Sequence, residues 1–219
     1  MKDIPPDKEK LAAIRREYAG EPLDDRSVFE DPVEQFQTWF EQALEAEPMD
    51  PNAMTLSTAT PDGRPSSRVV LLKGFDPEGF RFYTNYRSRK GRELEKNPRA
   101  ALCIYWPAMS RQVRIEGEVE KLGRAESREY FRQRPRPSRI AAWASEQSRR
   151  VESREELEMR FRDYEKQFEG GEVPLPEFWG GYLLRPDVIE FWQGREERMH
   201  DRLVYRREGE SWDIRRLAP

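Results

Sequence analysis

The spacing of apolar residues changes near residue 53, which divides the chain into a helical opening and a strand-rich remainder. In the opening, apolar residues recur at intervals of three and four, as on one face of a helix: Val33, Phe36, Trp39, Phe40, Ala43 and Leu44. Asp31 is suited to cap this helix and Pro32 to its first turn. A second, shorter helix is predicted upstream over residues 8–20, ending at Gly20.

From residue 53 the pattern becomes that of short strands separated by turns. The predicted strands cover residues 53–60, 66–75, 80–86, 99–106 and 111–122, with turn sequences PDGRP and DPEG between the first three. A short helix over residues 88–98 interrupts them, beginning at Ser88. Turn signals about every ten residues predict an antiparallel meander that forms a barrel or a sandwich.

The second half returns to helices and then to strands. Helices are predicted within residues 124–134, 137–145 and 153–171, and strands over 182–186, 187–194, 202–208 and 211–217. The last strands are expected to complete the barrel, because an isolated hairpin is only marginally stable. The fold class is therefore mainly β with helices (α+β), in one barrel domain over residues 31–219 that follows a polar segment, residues 1–30.

Composition limits the function classes. Hydrophobic residues make up only 36% of the 219 residues, but 6 Trp, 8 Tyr and 11 Phe can build a core. The net charge of −3 does not favour nucleic acid as a partner. With no apolar run of about 18 residues, we expect a soluble, cytoplasmic protein without a membrane partner. The single cysteine, Cys103, excludes an intrachain disulfide and a cysteine zinc site, and its apolar surroundings predict a buried, inert thiol.

Several common sites are missing from the sequence. It contains no dinucleotide-binding glycine fingerprint, no phosphate-binding P-loop and no G-x-S-x-G nucleophile motif. A single histidine, His200, leaves little room for a hydrolytic triad. No metal site is predicted, although one built only from carboxylates stays open.

Two basic clusters remain in the barrel and its helices. In the first, Arg68 and Lys73 are predicted to face opposite sides of one strand, and Arg89 and Lys90 to open a helix, where backbone N–H groups favour anions. In the second, Tyr130 and Arg134 are expected to share a helix face, with Ser138 following a turn broken by proline. Either cluster alone also fits an ordinary charged surface.

The third cluster surrounds His200. Arg198 and His200 are two residues apart, which on a strand places both on one face, and Trp192 and Arg202 complete an aromatic and cationic patch. A surface histidine remains the alternative. Taken together, the three clusters suit a cofactor and a substrate that each carry a phosphate.

The motifs RVVLLK, FYTNYRSRK, RQVRIEG, RPRPSRIAAWAS, FWGG and FWQG…RMHDR occur in this order over nearly the whole chain. The set resembles the pyridoxine/pyridoxamine 5′-phosphate oxidase family of FMN enzymes. Met199 stands where leucine is more common in that family, a conservative departure. The resemblance implies an FMN-binding split β-barrel of antiparallel strands with peripheral helices, acting as a homodimer whose active sites are each lined by both chains.

The resemblance also implies residue roles. FMN would be bound by Arg68, Val69, Val70, Leu71, Leu72, Lys73, Tyr83, Thr84, Arg89, Lys90, Gln112, Gln147, Ser148, Trp192 and Arg202. The substrate would be bound by Arg15, Arg16, Glu17, Tyr18, Lys73, Tyr130, Arg134, Ser138, Arg198, Met199 and His200. Arg198 and His200 would be the catalytic pair at the substrate ring, and residues 1–30 would cover the active site.

The implied reaction is oxidation of pyridoxine 5′-phosphate or pyridoxamine 5′-phosphate to pyridoxal 5′-phosphate, in the biosynthesis and salvage of vitamin B6. Dioxygen would be the acceptor and would yield hydrogen peroxide, and the amine substrate would also release ammonia. Two alternatives stay open: another split-barrel FMN protein such as a flavin reductase, and a protein that holds flavin or pyridoxal 5′-phosphate without turnover.

Overall fold

A computed structural model describes residue 13 and residues 17–18, 20–24, 26 and 28–219. One nine-stranded antiparallel sheet curls into a half-barrel, with strand order β2-β1-β5-β6-β7-β4-β3 and with β8 and β9 continuing from β7. The strands are β1 Ala53–Ala59, β2 Pro65–Leu71, β3 Gly74–Asp76, β4 Gly79–Asn85, β5 Arg99–Trp106, β6 Arg111–Lys121, β7 Trp179–Gln193, β8 Asp201–Glu208 and β9 Ser211–Arg216. The helices are α1 Pro32–Ala46, α2 Arg89–Lys96, α3 Arg124–Gln133, α4 Arg136–Ala144 and α5 Arg154–Gln167.

Helix α1 begins as predicted and packs its apolar face into the core of the half-barrel. The Asp31 carboxylate accepts a hydrogen bond from the Val33 backbone N–H at 2.8 Å, which satisfies one of the free donors of the first turn. Phe36 is fully buried and meets Phe80 edge-to-face, with ring centroids 5.0 Å apart. Leu44 departs from the prediction, because its side chain is 56% exposed.

The predicted meander is wrong at β4. This strand pairs with β7, which lies about 100 residues later in the chain, instead of continuing into β5. The two strands predicted over residues 182–186 and 187–194 are one strand, β7. Pro186 is tolerated within it because the β6–β7 register shifts between Glu116 and Gly117, opposite the proline. The expectation that C-terminal strands complete the barrel is confirmed, since β7 joins β4 to β6.

Two predictions about side-chain direction are also wrong. Strand β2 ends at Leu71, so Lys73 lies in the connection to β3 and strand alternation does not apply to it. Arg198 and His200 do not share a strand face either, because residues Glu196–Arg198 form a short 3₁₀ turn before β8. Arg198 has a φ of 61°, in the left-handed region, which ends the alternation that the prediction assumed.

Helices α3, α4 and α5 form a second layer beside β4 and β7, around a smaller apolar cluster of Phe131, Ile140, Val173 and Trp179. The helix predicted over residues 8–20 lies largely outside the described residues. Cys103 is half-buried, so the prediction of a buried thiol is wrong, although burial does raise its pKa. None of the helices in the described part of the chain is long and apolar enough to cross a membrane.

Candidate active site

A cavity of about 750 Å³ lies between β2, β4 and the helical layer. The structure brings many of the predicted site residues together along its wall: Val69, Val70, Leu71, Lys73, Tyr83, Thr84, Lys90, Tyr130, Arg134, Ser138 and Gln147. They come from strands β2 and β4, the connection after β2, helices α2, α3 and α4 with their ends, and the segment after α4, so the cavity depends on the tertiary fold. Its lining combines apolar strand residues with cations at two places.

The first cation is Lys90, in the first turn of α2. The Ser88 hydroxyl caps this helix by accepting from the Gly91 N–H at 3.2 Å. The Lys90 ammonium donates to Thr84 Oγ1 and to Gln147 Oε1, both at 3.1 Å. Burial, with a contribution from nearby Arg68, lowers the Lys90 pKa to about 8. Neither hydrogen-bond partner is an anion, so this buried charge is suited to bind one.

Arg68 and Arg89, which were also predicted to bind FMN, lie beside Lys90 but are not among the residues that line the cavity. Both contact the carboxylate of Glu93, at 3.5 Å from Arg68 Nη2 and 2.9 Å from Arg89 Nε. Ser148 adjoins them, since its Oγ accepts from the Arg89 backbone N–H at 3.2 Å. Three positive charges therefore gather near the start of α2.

The second cationic place is Arg134, which ends helix α3. Its guanidinium lies over the Trp179 ring, 4.7 Å from the centroid, and burial lowers its pKa. Its Nη1 atom is buried and has no hydrogen-bond partner within the part of the chain that the structure describes. Because an unpaired buried donor is costly, this atom is suited to an anionic ligand. Tyr130, Ser138 and Lys73 line the same cavity.

The two cationic places are connected through stacked rings. Tyr83, predicted to bind FMN, and Tyr130, predicted to bind the substrate phosphate, stack at a centroid distance of 3.8 Å. Trp179 lies parallel to both rings, at 5.8 Å from Tyr83 and 6.2 Å from Tyr130. Burial, followed by the charge of Glu126, raises the Tyr83 pKa to about 12, so this hydroxyl stays protonated at neutral pH.

The cluster around His200 lies outside this cavity. The His200 Nδ1 atom accepts from the backbone N–H of Arg195 at 3.0 Å, so the neutral ring carries its proton on Nε2. Its ring packs against Trp192 at 4.7 Å and edge-to-face against Tyr18 at 5.3 Å. Neighbouring Met199 is 65% exposed.

Gln112, Trp192 and Arg202 are direct cross-strand partners on β6, β7 and β8, so they lie in one row on one face of the sheet. Arg202 forms a bidentate ion pair with Glu190, Nε to Oε1 at 2.9 Å and Nη2 to Oε2 at 3.1 Å. Through the register of β1, β5 and β6, the same outer face carries Val69 and Tyr105. Val69 is 67% exposed and Tyr105 46% exposed, so an apolar surface adjoins the row.

Of the remaining predicted residues, none of those that the structure describes lines the cavity. Leu72 is buried in the core, where its backbone N–H and C=O bond to Asn52 at 2.8 and 2.9 Å. Glu17 and Tyr18 are described, and Tyr18 joins the His200 cluster. Arg15 and Arg16 lie outside the described residues. Thus one chain holds two separate groups of predicted site residues.

Glu93 and Trp179 belong to the site although neither was predicted from the sequence. Glu93 is one of several acidic residues in a charged helix, and its burial at 5% exposure is visible only in the fold. Trp179 belongs to the motif FWGG, which carried the resemblance but pointed to no chemistry by itself. No local signal in the sequence distinguishes Glu93, and only its contact with Arg134 identifies Trp179 as a site residue.

Comparison with known proteins gives the same family from independent parts of the chain. The profile described as pyridoxamine 5′-phosphate oxidase matches residues 40–168, and that of the pyridoxine 5′-phosphate oxidase C-terminal dimerisation region matches residues 179–219. The pyridoxine/pyridoxamine 5′-phosphate oxidase of Rubrobacter xylanophilus is 58% identical, over 95% of this chain and 96% of its own. That of Salinibacter ruber is 54% identical, over 96% of this chain and 99% of its own.

A solved structure agrees with these sequence matches. PhzG from Burkholderia lata 383, in complex with tetrahydrophenazine-1-carboxylic acid, superposes with a TM-score of 0.86 at 32% identity, covering 92% of this chain and 100% of that one. The split-barrel fold expected from the sequence is therefore confirmed. The chain belongs to the pyridoxamine 5′-phosphate oxidase family.

Proposed function

We propose that this protein is an FMN-dependent oxidase that converts pyridoxine 5′-phosphate and pyridoxamine 5′-phosphate to pyridoxal 5′-phosphate. The observation that carries the proposal is one cavity with two separate cationic places, at Lys90 and at Arg134. Two phosphorylated ligands can occupy such a cavity together. Arg134, with its unpaired buried Nη1, offers a second place for the phosphate monoester of a small substrate. This favours the oxidase over a flavin reductase, whose reduced nicotinamide substrate carries a diphosphate between two nucleosides.

The residues at the first place fit FMN. Lys90 offers a desolvated ammonium, Arg68 and Arg89 add charge beside it, and Thr84 and Gln147 supply polar groups. The exposed side chains of Val69 and Leu71 offer an apolar strand surface to a flavin ring. Charge at one end and an apolar strip next to it match a phosphorylated flavin.

The residues at the second place fit the substrate phosphate. Arg134 and Lys73 supply positive charge, and Tyr130 and Ser138 supply hydroxyls. The Arg134 guanidinium is held over Trp179, which limits its rotation and keeps it partly desolvated. We expect this group to recognise the doubly charged phosphate and to discriminate against the free vitamin.

The third group supports a site that is completed by a second chain. Trp192 lies four strand spacings from Val69 in the sheet order, about 19 Å along the sheet, and it does not line the cavity that Val69 lines. The C-terminal region that carries Trp192 and Arg202 matches a dimerisation region. We infer a homodimer with FMN at the interface, in which Gln112, Trp192 and Arg202 of one chain face the cavity of its partner.

Bound FMN would supply the redox chemistry, in which the substrate loses two electrons and two protons at its C4′ group and dioxygen takes up both to become hydrogen peroxide. The side chains of the protein orient the substrate. His200 presents Nε2–H as a donor, because its Nδ1 is occupied by the Arg195 N–H. We therefore assign His200, together with Arg198, to binding and orienting the substrate ring.

The polar segment, residues 1–30, is proposed to cover this site, with residues 31–219 as the single split-barrel domain. Tyr18 supports the proposal, since it packs edge-to-face against both Trp192 and His200. Glu17 and the two arginines that precede it would extend the cover over the substrate. A cytoplasmic location stays a prediction from the sequence.

The test is direct. Purified protein should be yellow and dimeric, and should release hydrogen peroxide when either phosphorylated substrate is added in air. A flavin reductase would instead consume a reduced nicotinamide. A protein that only binds pyridoxal 5′-phosphate or flavin would neither release hydrogen peroxide nor consume a reduced nicotinamide. Either of those results would refute the proposal.

A further inference from the structure

The buried carboxylate of Glu93 joins the side chains that surround the predicted phosphate end of FMN. Its Oε2 accepts from Thr58 Oγ1 at 2.5 Å and from Ser66 Oγ at 2.6 Å. Its Oε1 accepts from Arg89 Nε at 2.9 Å. Arg68 Nη2 lies 3.5 Å from Oε2. Both oxygens of one carboxylate are thus occupied, each toward a different arginine.

The two hydroxyls connect Glu93 to Arg68 a second time. Thr58 Oγ1 donates to the carboxylate and accepts from Arg68 Nη1 at 2.6 Å. Ser66 Oγ donates to the carboxylate and accepts from Arg68 Nη2. A hydroxyl has one hydrogen to donate. Because Thr58 and Ser66 both donate theirs to the Glu93 carboxylate, both hydroxyls present their lone pairs to Arg68.

The charges near this network are unequal. Arg68, Arg89 and Lys90 carry three positive charges, and Glu93 is the carboxylate that contacts two of them, which leaves a net charge of +2. A phosphate monoester carries about −1.5 to −2 at pH 7. Burial alone would raise the Glu93 pKa, but hydrogen bonds from Ser66, Thr58 and Arg89 lower it to about 2, so the carboxylate is charged throughout the neutral range.

We propose that Glu93 is a positioning residue for FMN binding. Its carboxylate holds Arg68 and Arg89 in the orientation that receives the phosphate of FMN. This inference rests on the proposed function, because it assumes that FMN is the ligand. Glu93 itself does not need to contact the cofactor. Its effect is to bring two mutually repelling guanidinium groups to adjacent places before the ligand arrives.

A role through position and a role through charge predict opposite outcomes. If Glu93 acted only as a negative charge near the phosphate, removing it would raise the local charge to +3 and strengthen FMN binding. If it positions the arginines, removing it lets their side chains separate and weakens binding. Glu93→Gln, which keeps the shape and removes the charge, distinguishes the two roles.

The experiment measures dissociation constants of FMN and of riboflavin, which lacks the phosphate, for the full-length protein after flavin removal, at one ionic strength. We expect Glu93→Gln to weaken FMN binding by about tenfold or more and to leave riboflavin unchanged. The matched control is Glu95→Gln, the same charge change at an exposed position of the same helix, which should alter neither constant.

If Glu93→Gln does not fold, Ser66→Ala tests the same network from strand β2. It removes one hydroxyl that bridges Glu93 and Arg68, and should weaken FMN but not riboflavin. Its control is Ser67→Ala, whose hydroxyl faces Ser57 at 2.9 Å. Tighter or unchanged FMN binding in Glu93→Gln overturns the inference, as does equal weakening of both flavins. A wild-type protein that does not prefer FMN to riboflavin refutes the proposed function itself.

Discussion

Raising the pH above about 8 should weaken FMN binding, because the Lys90 ammonium loses its proton there. The pKa of a buried lysine falls since burial disfavours its charged form, whereas a bound phosphate favours that form and raises the pKa again. Binding therefore takes up a proton between the two pKa values. Below about pH 6 the phosphate itself gains a proton, so binding should be tightest between about pH 6 and 8.

The magnitude follows from proton linkage. Above the pKa of the free protein, each pH unit costs about a factor of ten in affinity until the pKa of the complex is reached. Because half of the Lys90 side chains in the free protein are already neutral at pH 8, the FMN dissociation constant should rise by roughly 15-fold between pH 8 and 9.5. The dissociation constant of riboflavin, which has no phosphate, should not show this rise. Measured over the same pH range, it serves as the control for titration of the flavin ring and for loss of folded protein.

Lys90→Gln should remove this pH dependence. One charge-assisted contact is worth about 1.5–3 kcal/mol, so the variant should bind FMN roughly 10- to 150-fold more weakly at pH 7. Its dissociation constant should then stay flat up to pH 9.5. Lys96→Gln, at an exposed position in the last turn of the same helix, is the control. Fluorescence titration measures all three proteins, and a flat pH profile in the wild type would refute the reasoning.

Three further outcomes are expected from the proposed site. Arg134→Ala should lower kcat/KM for pyridoxine 5′-phosphate by roughly 10- to 150-fold and leave kcat/KM for free pyridoxine unchanged. Arg134→Lys should also lower kcat/KM for the phosphorylated substrate, because an ammonium cannot form a bidentate pair. Equal losses for both substrates would contradict the phosphate assignment. His200→Ala should lower kcat/KM by a similar factor while FMN stays bound, and loss of flavin instead would mean that this residue serves the cofactor. Tyr105→Asp should dissociate the dimer and release FMN with it, as judged by sedimentation and absorbance. The control Met159→Asp, at an exposed apolar residue of α5, should do neither. A yellow monomer would refute the two-chain site.

Much of the local structure followed from short-range pattern. Helix α1 needs only its apolar spacing and the Asp31 cap, and α2 needs Ser88, both of which act within four residues. The strands were found because alternation and turn residues are likewise local. The ordered motifs, spread over nearly the whole chain, also sufficed to predict the split barrel and the family.

What depended on tertiary structure was every relation between distant segments. The pairing of β4 with β7 is decided by which surfaces bury the most apolar area, and a meander is equally compatible with the local pattern. Arg198 was misplaced because a left-handed turn interrupts the strand, and turn geometry is set by the strands that it must join.

Glu93 shows the same limit at the level of chemistry. In the sequence it is one carboxylate in a highly charged helix, with nothing to separate it from Glu95 two residues later. Folding brings Thr58, Ser66 and Arg68 from two strands against one of these carboxylates and leaves the other in solvent. The sequence determined which residues were available for the site, and the tertiary contacts determined their burial, partners and charge, because those properties depend on neighbours far away in the chain.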